Sequence, residues 1–254
     1  MPLTVAESYS YCQNVAKSEA KNFYYSFSVL SPEKKNAMCA IYAFMRFSDD
    51  ISDEAAVDDT KRQGLVRWRA ELDLAYGGDY GDSKMWPAFH DACKRYHIPR
   101  SLFHELIDGV EMDLDTHRYN TFDELYKYCY KVASVVGLVC VHVWGFDGGD
   151  LALEYAEACG IAFQMTNILR DVKEDAERGR IYLPLEDLQS FGVTEDSVLN
   201  GKVSSEFYKM LRFEADRANQ FYDKALPLIP LIHAESRSAF LIMFRIYRCL
   251  LERI

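Results

Sequence analysis

An all-α domain is the fold class this sequence predicts, and three observations predict it. No stretch of the 254 residues sustains the period-two alternation of a half-buried strand. Apolar residues recur instead at steps of three and four. The segments that carry them open on capping residues and stop at glycine or proline. With 49% hydrophobic and 27% charged residues, and no repeat, low-complexity tract or linker, residues 1–254 read as one domain around one large core.

Thr4 to about Glu19 is a first helix, and the aromatic-rich A-K-N-F-Y-Y-S-F-S-V-L-S that follows reads as a short connection. Ser31-Pro32-Glu33 has the form of a cap, a first-turn proline and an acid at the positive helix end. The helix it opens runs through Ile41 to Met45 and arrives at an acidic patch near its C-terminus, where the dipole disfavours carboxylates. Arg62 to Tyr76, closed by Gly77-Gly78, and Lys84 to Tyr96 are the next two helices. Pro99 opens another that ends near Asp115. Thr121 with Glu124 forms a capping-box pattern at the head of a helix from Leu125 to about Trp144. After a turn over Gly145 to Asp150, one helix spans Ala152 to Ala176 and is stopped by Gly179, with Arg180 to Leu183 in a short connection. Short turns at Leu185 to Phe191 and Thr194 to Leu199 precede helices over Ser205 to Ala225 and Ser236 to Ile254.

A formal net charge of −10 argues against a nucleic-acid surface. Seven cysteines without a C-x-x-C spacing read as small buried hydrophobes of a reducing cytoplasm, and the N-terminus lacks a basic, apolar leader. The longest apolar run, Val132 to Phe146, falls short of the roughly 20 residues that span a bilayer and reads as a buried core helix. The histidines form no metal motif, and the paired glycines lack the strand-turn-helix context of a nucleotide fold.

The chemistry concentrates on Gln164 to Pro184. Gln164, Asn167, Asp171 and Asp175 follow steps of three and four, which stack on one helix face. Such a face suits a hydrated divalent metal. One D-x-x-x-D alone is more often a solvated helix end, but Asp49 and Asp53 repeat the spacing, so two acidic faces can oppose each other across a cavity.

Five motifs, I-Y-A-F-M-R-F-S-D-D-I-S-D-E, D-G-V-E-M-D-L, E-L-Y-K-Y-C-Y-K-V-A-S-V-V-G, Q-M-T-N-I-L-R-D-V-K-E-D and R-G-R-I-Y-L-P, together resemble the squalene and phytoene synthase family in kind and order. These are head-to-head prenyl transferases, and the resemblance runs from about Lys17 to Arg248. It implies an isoprenoid-synthase-type helical bundle around a central apolar cavity. It also implies Mg²⁺, two or three ions bridged by substrate diphosphates, held by Asp49, Asp53, Asn167, Asp171 and Asp175. Arg46, Arg170, Arg178 and Arg180 fit diphosphate contact, Gln164 and Asn167 fit the metal's water or the diphosphate, and Lys21 lies where the family's N-terminal contacts fall. Phe23, Tyr24, Tyr42, Val132, Ala133, Val136 and Leu138 are the expected cavity wall. Tyr128 corresponds to a tyrosine of the family's proton and cation handling, with released diphosphate as the base. Tyr42 keeps its spacing to Arg46, and Asp113 matches the M-D-L position, leaving Asp108, Glu111 and Asp115 as solvated acids.

The sequence departs from the family at Ala20 and Asn22, where serines are common, and at Ser134, where phytoene-type enzymes carry glycine. Members continue beyond the helix that ends at Ile254, so a C-terminally trimmed domain is expected. The implied reaction joins two farnesyl diphosphates to presqualene diphosphate, a squalene and hopanoid-pathway step, with phytoene synthesis from two geranylgeranyl diphosphates as runner-up. NADPH is not expected for the first half-reaction, and complete squalene or dehydrosqualene synthesis ranks lower. A chain-elongating transferase or terpene cyclase carries a different second motif. A non-catalytic assembly factor should have lost some of the four aspartates, and all are present. The expected location is the cytoplasm, with peripheral contact at the inner membrane surface compatible with an insoluble product.

Overall fold

The computed structural model describes residues 3–19, 21–53 and 58–254, without the side chains of residues 21–23, 53 and 58. The described residues form helices α1 Val5–Glu19, α2 Lys21–Phe27, α3 Pro32–Asp53, α4 Asp58–Tyr76, α5 Trp86–Arg95, α6 Arg100–Asp115, α7 Phe122–Cys129 and α8 Val135–Trp144. They continue with α9 Asp150–Glu177, α10 Leu185–Ser190, α11 Glu195–Leu199, α12 Ser205–Ala225, α13 Leu228–Leu231 and α14 Ala234–Leu251. A π-helical turn, Tyr130–Ser134, joins α7 to α8. Only isolated bridges, such as Arg118 with Ile181, have β character among the described residues.

Local chemistry explains the helix starts. The Lys35 amide donates to the Ser31 carbonyl (2.8 Å) at the head of α3. Thr121 Oγ1 accepts from the Glu124 amide (3.2 Å), and Glu124 in return takes the Asn120 amide (2.7 Å), one residue earlier than the usual reciprocal bond. The stretch expected as a connection is instead the seven-residue α2, and α4 begins at Asp58, four residues before the expected Arg62.

The helix expected from Leu125 to Trp144 is interrupted by the π turn, where the Val135 amide donates to Tyr130 O. Three glycines allow neighbours to close on this turn. A Cβ at Gly109 of α6 would stand 2.8 Å from Val132 Cγ1, and one at Gly160 of α9 only 2.3 Å from Ser134 Cα. Gly137 of α8 lies against the Ala156 carbonyl of α9, where a Cβ would approach to 3.1 Å. Ser134 Oγ, at a position expected as a departure, donates to Glu157 O (2.8 Å).

One face of α3 is fixed by an aromatic cluster in which Phe44 lies 5.4 Å from Trp68, 4.9 Å from Phe89 and 5.0 Å from Phe103, centroid to centroid. Trp68 Nε1 donates to Ser48 Oγ (2.8 Å), so even the polar atom of this cluster is satisfied. With that face buried, Met38, Tyr42, Met45, Arg46 and Asp49 point to the opposite side. Behind α9 runs α12, joined through Thr166 Oγ1 and Tyr222 OH at 2.8 Å. All seven cysteines are unbridged, six of them buried and Cys249 exposed.

Candidate active site

Helices α3, α8 and α9 surround a cavity of about 320 Å³. Its wall on α9 is Ala156, Cys159, Gly160, Phe163, Gln164 and Asn167, and on the π turn and α8 it is Val132, Ala133, Val136, Gly137, Cys140, Val141 and Trp144. Polar groups gather at one end, where Arg46, Asp49, Gln164 and Asn167 meet; the opposite end is closed by Trp144 and Phe240, 5.9 Å apart. Lys34, on the first turn of α3, bonds the Trp144 carbonyl (2.6 Å). On α3 the wall runs from Met38 to Asp49, eleven residues of one helix, so the two ends lie roughly 16 Å apart.

The cavity therefore brings together Tyr42, Arg46, Asp49, Val132, Ala133, Val136, Gln164 and Asn167. Arg170, Asp171 and Asp175 continue α9 beyond its polar mouth. Arg170 clasps Asp171 with Nε on Oδ1 (2.7 Å) and Nη2 on Oδ2 (2.5 Å), the fork geometry of an arginine on a carboxylate. Arg46 pairs with Asp50 at 2.6 Å. Burial first, and then the neighbouring Asp171 charge, push the Asp175 carboxyl up to about 6, against the smaller opposing pull of Arg180 and Arg178. The side chains of Lys21, Phe23 and Asp53 lie outside the described residues.

Other candidates stand elsewhere. Tyr128 is 4% exposed and does not line the cavity. It donates to Asp113 Oδ2 (3.1 Å), while Tyr182 donates to Oδ1 of the same carboxylate (2.9 Å) and stacks on Tyr128 at 5.2 Å. Burial, followed by the Asp113 charge, raises the Tyr128 phenol far above its ordinary value, so it stays protonated and donates to Asp113. Arg180 belongs to this cluster through Tyr182 OH (3.4 Å) and Asp113 O (3.2 Å). Arg178 is exposed and turned to Glu174 at 2.7 Å. Leu138 is core rather than wall, and Tyr24 lies under the Lys35 ammonium. Asp108, Glu111 and Asp115, expected as solvated acids, are instead ion-paired: Asp108 with Arg69 and Lys131, Glu111 with Arg69, and Asp115 with Arg62.

The wall also holds residues that the motifs do not single out, Tyr247 and Phe27 among them. Tyr247 of α14 stacks on Phe163 at 4.3 Å beside Asn167, and Phe27 comes from α2. Both arrive through tertiary packing of distant segments, and only the apolar character of α14 could have pointed to Tyr247.

The donor set fits a hydrated divalent metal. Among the described residues no three His, Cys, Asp or Glu side chains converge as an all-protein cage. Mg²⁺ needs no such cage, since it is held by one or two carboxylates together with substrate phosphates. Asn167 Oδ1, buried at the mouth, has no hydrogen-bond partner, and a cation beside Asp171 and Asp175 would offset the burial, and then the Asp171 charge, that raise Asp175.

An apolar, helix-walled chamber with cationic and acidic groups at one end suits long apolar chains that carry an anionic head. Residues 16–254 match the squalene/phytoene synthase family model, and the chain belongs to that family. It is 38% identical to a phytoene synthase of Arthrospira platensis over 100% of this chain and 85% of that protein. Among solved structures it is similar to a dehydrosqualene synthase in complex with a ligand, with TM-score 0.88 and 30% identity over 96% of this chain and 84% of the other. It is also similar to squalene synthase HpnC from Alicyclobacillus acidocaldarius, with TM-score 0.92 and 25% identity over 100% and 95% of the two chains. The protein is thus a prenyltransferase of the head-to-head condensing type, and its fold is the all-α isoprenoid-synthase bundle. No described helix is long and apolar enough to cross a membrane.

Proposed function

We propose that this enzyme condenses two geranylgeranyl diphosphates head to head, a phytoene-type reaction, with Mg²⁺ at the polar mouth. Cavity length carries the reading. Met38 to Asp49 on α3 and Ala156 to Asn167 on α9 each advance eleven residues along the wall, about 16 Å. An extended chain gains roughly 1.15 Å per backbone bond, so a farnesyl main chain spans about 13 Å and a geranylgeranyl main chain about 17 Å. The longer chain matches the wall. The named activity of the Arthrospira platensis relative points the same way.

The metal supplies neutralisation of the departing diphosphate when bound. Asp49, Asp53, Asn167, Asp171 and Asp175 would hold it, and Arg46 and Arg170, exchanging Asp50 and Asp171 for substrate, would take phosphate oxygens. One diphosphate leaves, C1 of that chain bonds across the double bond of the second, and a proton is lost to give a cyclopropylcarbinyl diphosphate. The apolar wall keeps water from the allyl cation, and the faces of Tyr42, Phe163 and Tyr247 can stabilise it. With Tyr128 locked to Asp113, the released diphosphate is the proton acceptor.

The reading expected from the motifs, two farnesyl diphosphates to presqualene diphosphate, stands second. It is favoured by the similarity to a dehydrosqualene synthase and to squalene synthase HpnC. The test is incubation with Mg²⁺ and either substrate, with and without NADPH, and mass analysis of the lipid extract. A C40 product from geranylgeranyl diphosphate is expected; turnover of farnesyl diphosphate alone overturns the first reading in favour of the second. Asp171→Asn and Asp53→Asn should each abolish turnover in a folded protein, and retained activity in both would falsify the metal assignment.

A further inference from the structure

The far end of the cavity is built around one residue. Trp144 closes α8, is 3% exposed and lines the cavity, yet its indole Nε1 is buried without a hydrogen-bond partner. A buried N–H of this kind is normally satisfied, so an unpaired one on a chamber wall points at what enters the chamber. The backbone beneath the ring is held from two sides. Lys34 Nζ and Ser236 Oγ both donate to the Trp144 carbonyl, at 2.6 and 2.9 Å, and Lys34 also donates to Ser236 Oγ and Glu235 Oε1. Gly145, the next residue, has φ of 78°, and a Cβ there would sit 2.3 Å from His233 Nδ1, while its carbonyl accepts from the His233 amide at 3.0 Å. The indole is therefore a fixed stop, backed by Phe240, rather than a side chain that retreats when pushed.

We propose that Trp144 is the chain-length gauge of this enzyme: its ring ends the space for the last isoprene unit, and its unpaired N–H donates to the π face of the terminal double bond. The inference rests on prenyl chains lying with their diphosphates at Arg46 and Asn167, and it does not depend on which length is native. N–H to π contacts are weak individually, but this donor has no competing partner.

The experiment compares kcat/KM for C15, C20 and C25 prenyl diphosphates in the wild type, Trp144→Phe, Trp144→Met and Trp144→Leu, each checked by thermal melting. Removing the ring in Trp144→Leu or Trp144→Met should raise the ratio of the next-longer substrate to the wild-type optimum by about tenfold or more, because each methylene that fits is worth that order of discrimination. Trp144→Phe keeps a ring but removes the donor. It should lower kcat/KM about threefold for the chain that reaches the floor and leave a chain one unit shorter unchanged. A ratio within twofold of wild type in every variant that folds overturns the gauge. A wild-type optimum at C15 would overturn the geranylgeranyl reading alone, because the shift on removing the ring is scored from whichever length the wild type prefers.

Discussion

Replacing Asp175 with asparagine should stabilise the metal-free protein and disable the enzyme. Asp175 titrates near 6 because it is half-buried beside Asp171, about two units above an ordinary aspartate. Two units correspond to about 3 kcal/mol, and partial solvent access reduces this to about 1–2 kcal/mol. The sign follows from linkage. The folded carboxyl holds its proton more tightly than the unfolded one, so the group favours folding below about pH 4 and that contribution disappears as pH rises through 6. At pH 7.5 in EDTA, Asp175→Asn should melt about 2–8 °C above wild type, and most of the gap should vanish at pH 4.5. With Mg²⁺ and inorganic diphosphate the order should invert, since only the wild type gains ligand stabilisation. Calorimetry on both proteins in both buffers decides the matter. A variant that melts at or below wild type in EDTA at pH 7.5, or a gap that persists undiminished at pH 4.5, refutes the picture of a half-buried carboxylate beside Asp171 awaiting a cation.

Activity should fall about tenfold per unit below pH 6 as Asp175 takes up a proton, with added Mg²⁺ moving the limb to lower pH; an unchanged limb at high Mg²⁺ would detach it from metal binding. Arg217 bridges two buried carboxylates, Asp187 at 2.8 Å and both oxygens of Glu214 at 2.8 Å. Arg217→Met should cost about 3–5 kcal/mol at pH 8.5 and less at pH 6, because burial pushes Glu214 up to about 8 and lets it hold a proton below that. Urea titrations at the two pH values measure this. Gly160→Ala should cost at least about 2–3 kcal/mol and lower kcat, since the new Cβ meets the backbone of Ser134 and must displace a cavity wall.

The helices were legible where short-range chemistry decides them. Ser31-Pro32-Glu33, Thr121 with Glu124, and Gly179 each mark a terminus that side-chain caps or a positive φ impose locally. The stretch after Glu19 reads as a connection because the seven residues of α2 give too few turns for an apolar period to register. The π turn was invisible because its signal is one carbonyl skipped, while its apolar residues still suit an α-helix. At the site, the stripe on α9 and the patch on α3 followed from spacing. What spacing withheld was partnership: Arg46 turns to Asp50, Arg178 to Glu174, and Tyr128 to Asp113 behind the wall. Tyr247 and Trp144 reach the cavity only because α14 and α8 pack against each other at its wall, which no local window contains.

The π turn also makes the chain between Thr121 and Gly145 intolerant of length changes. It holds one residue more than an α-turn, and everything after it is set in rotation by that surplus. Deleting a single residue there would restore an unbroken helix and swing Val136, Cys140 and Trp144 by about 100° around its axis. Apolar side chains that face the chamber would be carried off its wall, and the close approach of Gly160 to Ser134 would be lost. Substitutions in this segment are tuned by volume, but insertions and deletions are errors of phase, and a one-residue change there should erase the chamber while leaving the helix content almost untouched.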